Sequence, residues 1–183
     1  MTDRIFVFDD FLAEPDAYRA NALKGEFRSY DFPGCTFHGI SIPTPAKVYE
    51  KLCREIPGLK PSLSFFRRSP LGQVESHLIH TDIDMGQWSA ILYLSPEAPL
   101  RDGTDFWTHI ATGAVGSEIP HERSEEGKTE EGWELRRHVY GQFNRLAVFP
   151  SWLFHSRSIA ENWGEGDGAR LTQVVFGTGA LPG

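Results

Sequence analysis

His77-Leu-Ile-His80-Thr-Asp82-Ile-Asp84 is the stretch on which the reading of this chain turns. It lies in a β-branched run, Ser76 to Ile83, that reads as a strand. Residues i and i+2 of a strand project from the same face, so His80 and Asp82 point together with Thr81 opposite. A His two residues before an Asp is common by chance. Taken alone, it describes a surface pair or a core histidine satisfied by a backbone carbonyl.

Working outward, the segment acquires a partner. Two imidazoles and one carboxylate on a single face of a metal leave three coordination positions open, the facial arrangement of non-haem Fe(II) oxygenases. The third ligand must come from later in the chain. His155, 75 residues beyond His80, fits: the apolar run Arg145 to Phe149 and the turn Pro150-Ser-Trp-Leu-Phe deliver it to a strand end. The metal set expected here is therefore His80, Asp82 and His155. A zinc hydrolase with the same donors would need a general base near the metal, and the chain has no HExxH.

The rest of the sequence bounds the class. At 183 residues the chain suits one domain over 1–183 with a sizeable core. Eighteen Lys and Arg against 25 Asp and Glu give a net charge of −7, which disfavours nucleic acid and anionic polymers as partners. Cys35 and Cys53 form no CxxC, so neither a disulfide framework nor a cysteine zinc site is expected. The opening residues carry acids within their short apolar run, unlike a signal peptide, and no run reaches the ~18 apolar residues of a membrane span. A cytoplasmic protein is the expectation.

Thirteen Phe, five Trp and five Tyr with 18 Gly and 12 Pro suit short strands separated by turns. Residues 4–8 read as a first strand. Helices are expected from Pro15 to about Lys24 and from Ala46 to Arg54, with a turn at 31–34 between them. Leu63–Arg67, Ser76–Ile83, Trp88–Leu94, Arg145–Phe149 and Leu171–Phe176 read as further strands. The order predicts a mainly β (α+β) sandwich or jelly roll with N-terminal helices packed outside. Residues 111–132 hold six glutamates against Arg123 and Lys128, a net −4 that cannot bury much. They read as a solvated excursion between two strands, either a surface loop or an active-site lid.

Four ordered motifs resemble those of the prolyl-hydroxylase-like group of Fe(II)/2-oxoglutarate-dependent dioxygenases, in a bacterial branch. They are Trp88–Ser95 after the HxD, Asp102-Gly-Thr-Asp-Phe-Trp107, Asn144–Ser151 before His155, and Gly168-Ala-Arg170 through Phe176. Phe8–Leu12 with Pro15-Asp16, and Phe32–Gly34, share the likeness. The resemblance implies a double-stranded β-helix (cupin-like jelly roll) holding Fe(II) on His80, Asp82 and His155. It also implies 2-oxoglutarate as co-substrate, O2 as oxidant and release of succinate and CO2, with hydrogen removed from a C–H bond of a small-molecule or peptidyl substrate. Asp82 favours hydroxylation, because halogenating relatives lack this carboxylate. The co-substrate arginine is Arg170, which opens a well-formed strand, or Arg157, which lies closer to His155. The alternative is a non-catalytic jelly roll that binds a ligand or partner and keeps a vestigial metal site. The sequence leaves oligomeric state open.

Other residues carry weaker expectations. His77 faces away from His80 as a packed histidine. Asp84 is either an acceptor behind a metal imidazole or a solvated carboxylate. His109 reads as a satisfied polar residue on a strand, and Trp88, Tyr93, Trp107, Trp152 and Phe154 as core. Only one of Thr172 and Gln173 can face a cavity. The two cysteines read as buried thiols. His38, His121 and His138 carry no signal.

Overall fold

The computed structural model describes residues 3–32, 35–73, 78–158 and 161–182. Strand β1 (Phe6–Phe8) is followed by α1 (Pro15–Ala22), whose start is set by a proline at its first position. A hairpin comes next, β2 (Arg28–Phe32) and β3 (Cys35–Ser41), then α2 (Lys47–Glu55). The antiparallel pairing of β2 with β3 was not revealed by composition, and the turn expected at 31–34 falls partly on residues 33–34, which lie outside the described ones. The remaining strands are β4 (Lys60–Ser69), β5 (Trp88–Tyr93), β6 (Gly103–His109), β7 (Trp133–Tyr140), β8 (Leu146–Pro150), β9 (His155–Arg157) and β10 (Arg170–Thr178).

They form two antiparallel sheets. The larger runs β1-β8-β5-β10-β4-β3-β2 and the smaller β7-β6-β9. From β5 onward the chain crosses between the sheets at β5–β6, β7–β8, β8–β9 and β9–β10, with β6 and β7 paired within the smaller sheet, as a jelly roll winds. Period-two alternation then sorts side chains to two faces. Leu171 and Val175 of β10, Ala90 and Leu92 of β5, Val148 of β8 and Phe66 of β4 pack outward against Tyr18 and Ala22 of α1 and Val48 and Leu52 of α2. Tyr93, Ala147 and Phe149 face inward and meet Phe106 and Val139 of the smaller sheet. The helices therefore cover the outer face of the larger sheet, and the space between the sheets is left for a site.

Gln173 ties the helix layer down. Its side chain is fully buried, accepts from the Tyr18 hydroxyl at 2.7 Å and donates to Ser64 at 3.0 Å. Thr172 consequently faces the interior. Trp88, Tyr93, Trp107 and Phe154 are core, as expected. Cys53 is only half-buried, with its thiol directed at the Leu59 carbonyl (3.3 Å), which corrects the buried-thiol reading; the side chain of Cys35 is not among those described. No helix among the described residues is long and apolar enough to cross a membrane.

Candidate metal centre

The segment around His80 is not the strand that its composition suggests. His80 makes a single bridge, exchanging backbone hydrogen bonds of 2.9 Å with His155, and residues 83–85 turn away. Residues 74–77, His77 among them, lie outside the described ones. The chain is held here by three strand-like contacts instead: Ile79 N–H to the Gly127 carbonyl (2.8 Å), the His80–His155 bridge, and Asp82 N–H to the Ser151 carbonyl (2.8 Å). These place the HxD beside β9 in the smaller sheet.

The three expected donors converge. One ligand atom from each of His80, Asp82 and His155 lies within 4.8 Å of the others. His155 Nε2 is 3.2 Å from Asp82 Oδ2, and His80 Nε2 is 3.6 Å from Oδ1. The His155 ring is buried, with Phe149 set against it edge-on at 4.8 Å. Its Nδ1 faces the Leu153 carbonyl at 2.9 Å, and a carbonyl only accepts, so Nδ1 carries the proton and Nε2 keeps its lone pair for the site. Burial alone would raise the Asp82 carboxyl. The two imidazoles and the Ser89 hydroxyl outweigh it and hold the group at about 2, ionised and acceptor-only. Burial pulls His155 down, but Asp82 more than compensates and raises it. Two imidazole nitrogens and one ionised carboxylate oxygen, with the His155 tautomer set by Leu153, fit a divalent iron-type ion.

Arg170 and Arg157 separate clearly. Arg170 lies on the inward face of β10, buried, with Nε donating to Asp102 Oδ1 at 2.9 Å. Among the described residues its two terminal nitrogens make no further hydrogen bond. Facing it across the β10–β4 pairing is Ser69, fully buried with an unpartnered hydroxyl. An orphaned hydroxyl beside a guanidinium with free donors suits a carboxylate. Arg157 turns instead into the loop that follows it, bonding Asn162 and Glu161 and lying over Trp163 at 5.8 Å.

The acidic stretch 111–132 is not wholly a solvated excursion. Gly116 and Ser117 run against the Trp152–Leu153 backbone, and a short 3-10 turn, Glu126–Lys128, packs on Ile79. It thus borders both the segment that precedes His80 and the turn that precedes His155. His121, which carried no sequence signal, pairs with Asp84 at 3.0 Å, so Asp84 serves this stretch and not a metal imidazole. His109 is a satisfied buried residue, bonded to Thr112 and Glu126. His138 pairs with Asp105 at 2.6 Å.

Ser69, Asp102, Ser89 and Ser151 were not picked out by sequence reasoning. Ser89 left a trace, a lone serine inside the apolar run Trp88–Leu94.

No family model matches the sequence, and no curated protein matches it. Solved structures share the fold. HygX from Streptomyces hygroscopicus, determined with iron bound, is 16% identical at a TM-score of 0.57, covering 95% of this chain and 81% of that one. SnoK, a non-haem alpha-ketoglutarate-dependent carbocyclase of nogalamycin biosynthesis, is 12% identical at 0.59, covering 93% and 78%. A Pseudomonas putida prolyl-4-hydroxylase is 18% identical at 0.54, covering all of this chain and 95% of that one. The fold is thus the jelly roll used by non-haem iron, 2-oxoglutarate-dependent oxygenases.

Proposed function

We propose that this chain is a non-haem Fe(II)- and 2-oxoglutarate-dependent oxygenase, one domain over 1–183, acting in the cytoplasm on a small-molecule or peptidyl substrate. The observation that carries the reading is the convergence of His80, Asp82 and His155 between the sheets of this jelly roll. His80, Asp82 and His155 would hold the iron. Arg170, with Ser69 beside it, would take the distal carboxylate of 2-oxoglutarate. When bound, the iron and keto acid supply oxidation by O2 coupled to decarboxylation, giving succinate and CO2. Asp102 keeps the guanidinium of Arg170 in place, and the apolar wall of Phe106 and Phe149 excludes water beside His155.

Hydroxylation is the outcome we favour, since the carboxylate ligand is present. A second outcome has its own support: SnoK is a carbocyclase, and the similarly folded SnoN is an alpha-ketoglutarate-dependent epimerase. Removal of hydrogen from carbon can precede each, and the product tells them apart. HygX has also been solved with nickel, 2-oxoglutarate and hygromycin B bound, which supports a small-molecule substrate.

The test is anaerobic titration of the protein with Fe(II) and 2-oxoglutarate. The expected result is a weak visible charge-transfer band, absent in His155→Ala, and succinate release on admitting air. A folded protein that binds neither would establish the non-catalytic jelly roll instead.

A further inference from the structure

Behind Asp82 lies a buried chain of hydroxyls that no step above requires. Ser89, on the inward face of β5, and Ser151, in the turn leading to His155, are both fully buried. Ser89 Oγ lies 3.1 Å from Asp82 Oδ2 and 2.8 Å from Ser151 Oγ. The proton directions follow from chemistry. An ionised carboxylate only accepts, so Ser89 donates to Asp82. A hydroxyl has one proton, so Ser151 must then donate to Ser89. Ser151 also accepts the Asp82 amide through its carbonyl at 2.8 Å, while its own amide donates to Gln87 at 3.1 Å. The turn that carries His155 therefore grips Asp82 twice, once through the backbone and once through the two hydroxyls.

We infer that Ser151 and Ser89 form a positioning relay that locks the plane of the Asp82 carboxylate, joining the placement of this ligand to that of His155. A carboxylate at the end of a two-bond side chain can rotate about Cβ–Cγ. Its other near contacts, the imidazole nitrogens of His80 and His155, are the groups an ion would claim. The Ser89 hydroxyl is the contact that survives loading, so it sets the direction in which Asp82 presents an oxygen. Bonds of this kind behind a ligand typically change metal affinity by about 10–100-fold when removed. The inference rests on the metal site proposed above.

The experiment measures Co(II) affinity and the Co(II) visible spectrum of the full chain, with the melting temperature of the metal-free protein as control. Variants are Ser89→Ala, Ser151→Ala and the double variant. Ser89→Ala is expected to weaken Co(II) binding about 10–100-fold and alter its spectrum. Ser151→Ala should cost a few-fold, and the double variant should match Ser89→Ala, because Ser151 acts through Ser89. Ser89→Ala with unchanged affinity and spectrum overturns the relay, as do additive losses in the double variant. If Ser89→Ala does not fold, Ser151→Ala decides alone: a spectral change supports the relay and an unchanged spectrum overturns it. Wild-type protein that binds no Co(II) would overturn the metal site itself, and that result is read before any variant is made.

Discussion

Arg170 and Asp102 form a buried pair in which each neutralises the other. Removing one partner strands a charge in the interior, at a cost of about 3–5 kcal/mol. Arg170→Ala should accordingly unfold at lower urea, and lose 2-oxoglutarate binding by roughly 10–150-fold where it folds. Replacing both together, Arg170→Met with Asp102→Leu, should recover most of the stability and none of the co-substrate binding. Urea melts and titration of the charge-transfer band check both halves. Arg157→Ala should leave the band titration nearly unchanged, since Arg157 is engaged with its own loop.

Two of the proposed metal ligands also set a pH dependence. Asp82 titrates at about 2 in the folded chain, below its ordinary 3.8, so it contributes stability above that value and loses it as pH falls toward 2. His155 is raised above 6.5, so its contribution is present below 6.5 and is lost as pH rises past the folded value. These two groups make the metal-free protein most stable between roughly pH 4 and 6.5. A metal displaces the proton from His155, so the rise in melting temperature on adding Co(II) should grow from about pH 5.5 to 8. A gain independent of pH would count against His155 as a ligand.

Among the elements, the acidic stretch departs furthest from expectation. Its Gly127 sits so tightly on the segment before His80 that an added Cβ would lie 2.1 Å from the Ile79 carbonyl oxygen. The backbone at one of the two must shift. Gly127→Ala should destabilise the protein by about 1–3 kcal/mol and weaken Co(II) binding, because Ile79 adjoins a ligand. Gly113→Ala, where a Cβ meets nothing within 4 Å, has a different defect: a φ of +69° that strains any L side chain. It should cost about 1 kcal/mol with Co(II) affinity intact. Comparing the two variants by melts and titration separates contact with the site from general strain.

Across the whole molecule, the larger sheet divides two tasks between its faces. The outer face carries the helices, and Tyr18→Phe would leave the buried Gln173 carbonyl oxygen without its donor. The expected loss is about 1–3 kcal/mol of stability in urea. Metal and 2-oxoglutarate titrations of that variant should match wild type, because Gln173 and Thr172 point to opposite faces. A changed titration would show that the helix layer reaches the site.

Much of this was legible in the chain itself. Period-two alternation, turn residues and ordered motifs determined the jelly roll, and residue type determined which three side chains could hold a metal. His80 and Asp82 converge although their segment is not a regular strand, because a bridge from His80 to β9 and a hydrogen bond from the Asp82 amide to the Ser151 carbonyl hold both beside His155. Only tertiary structure shows that Arg170 pairs across from a buried orphan hydroxyl, Ser69, while Arg157 folds back on its own loop. Our preference for Arg170 as the co-substrate anchor rests on that difference. Tertiary structure alone turned six glutamates and a glycine-rich run into a wall beside the metal segment. It alone brought Ser151 to Ser89, 62 residues apart. Local pattern encodes which face a side chain takes. Which distant group meets it there is set by how the two sheets close.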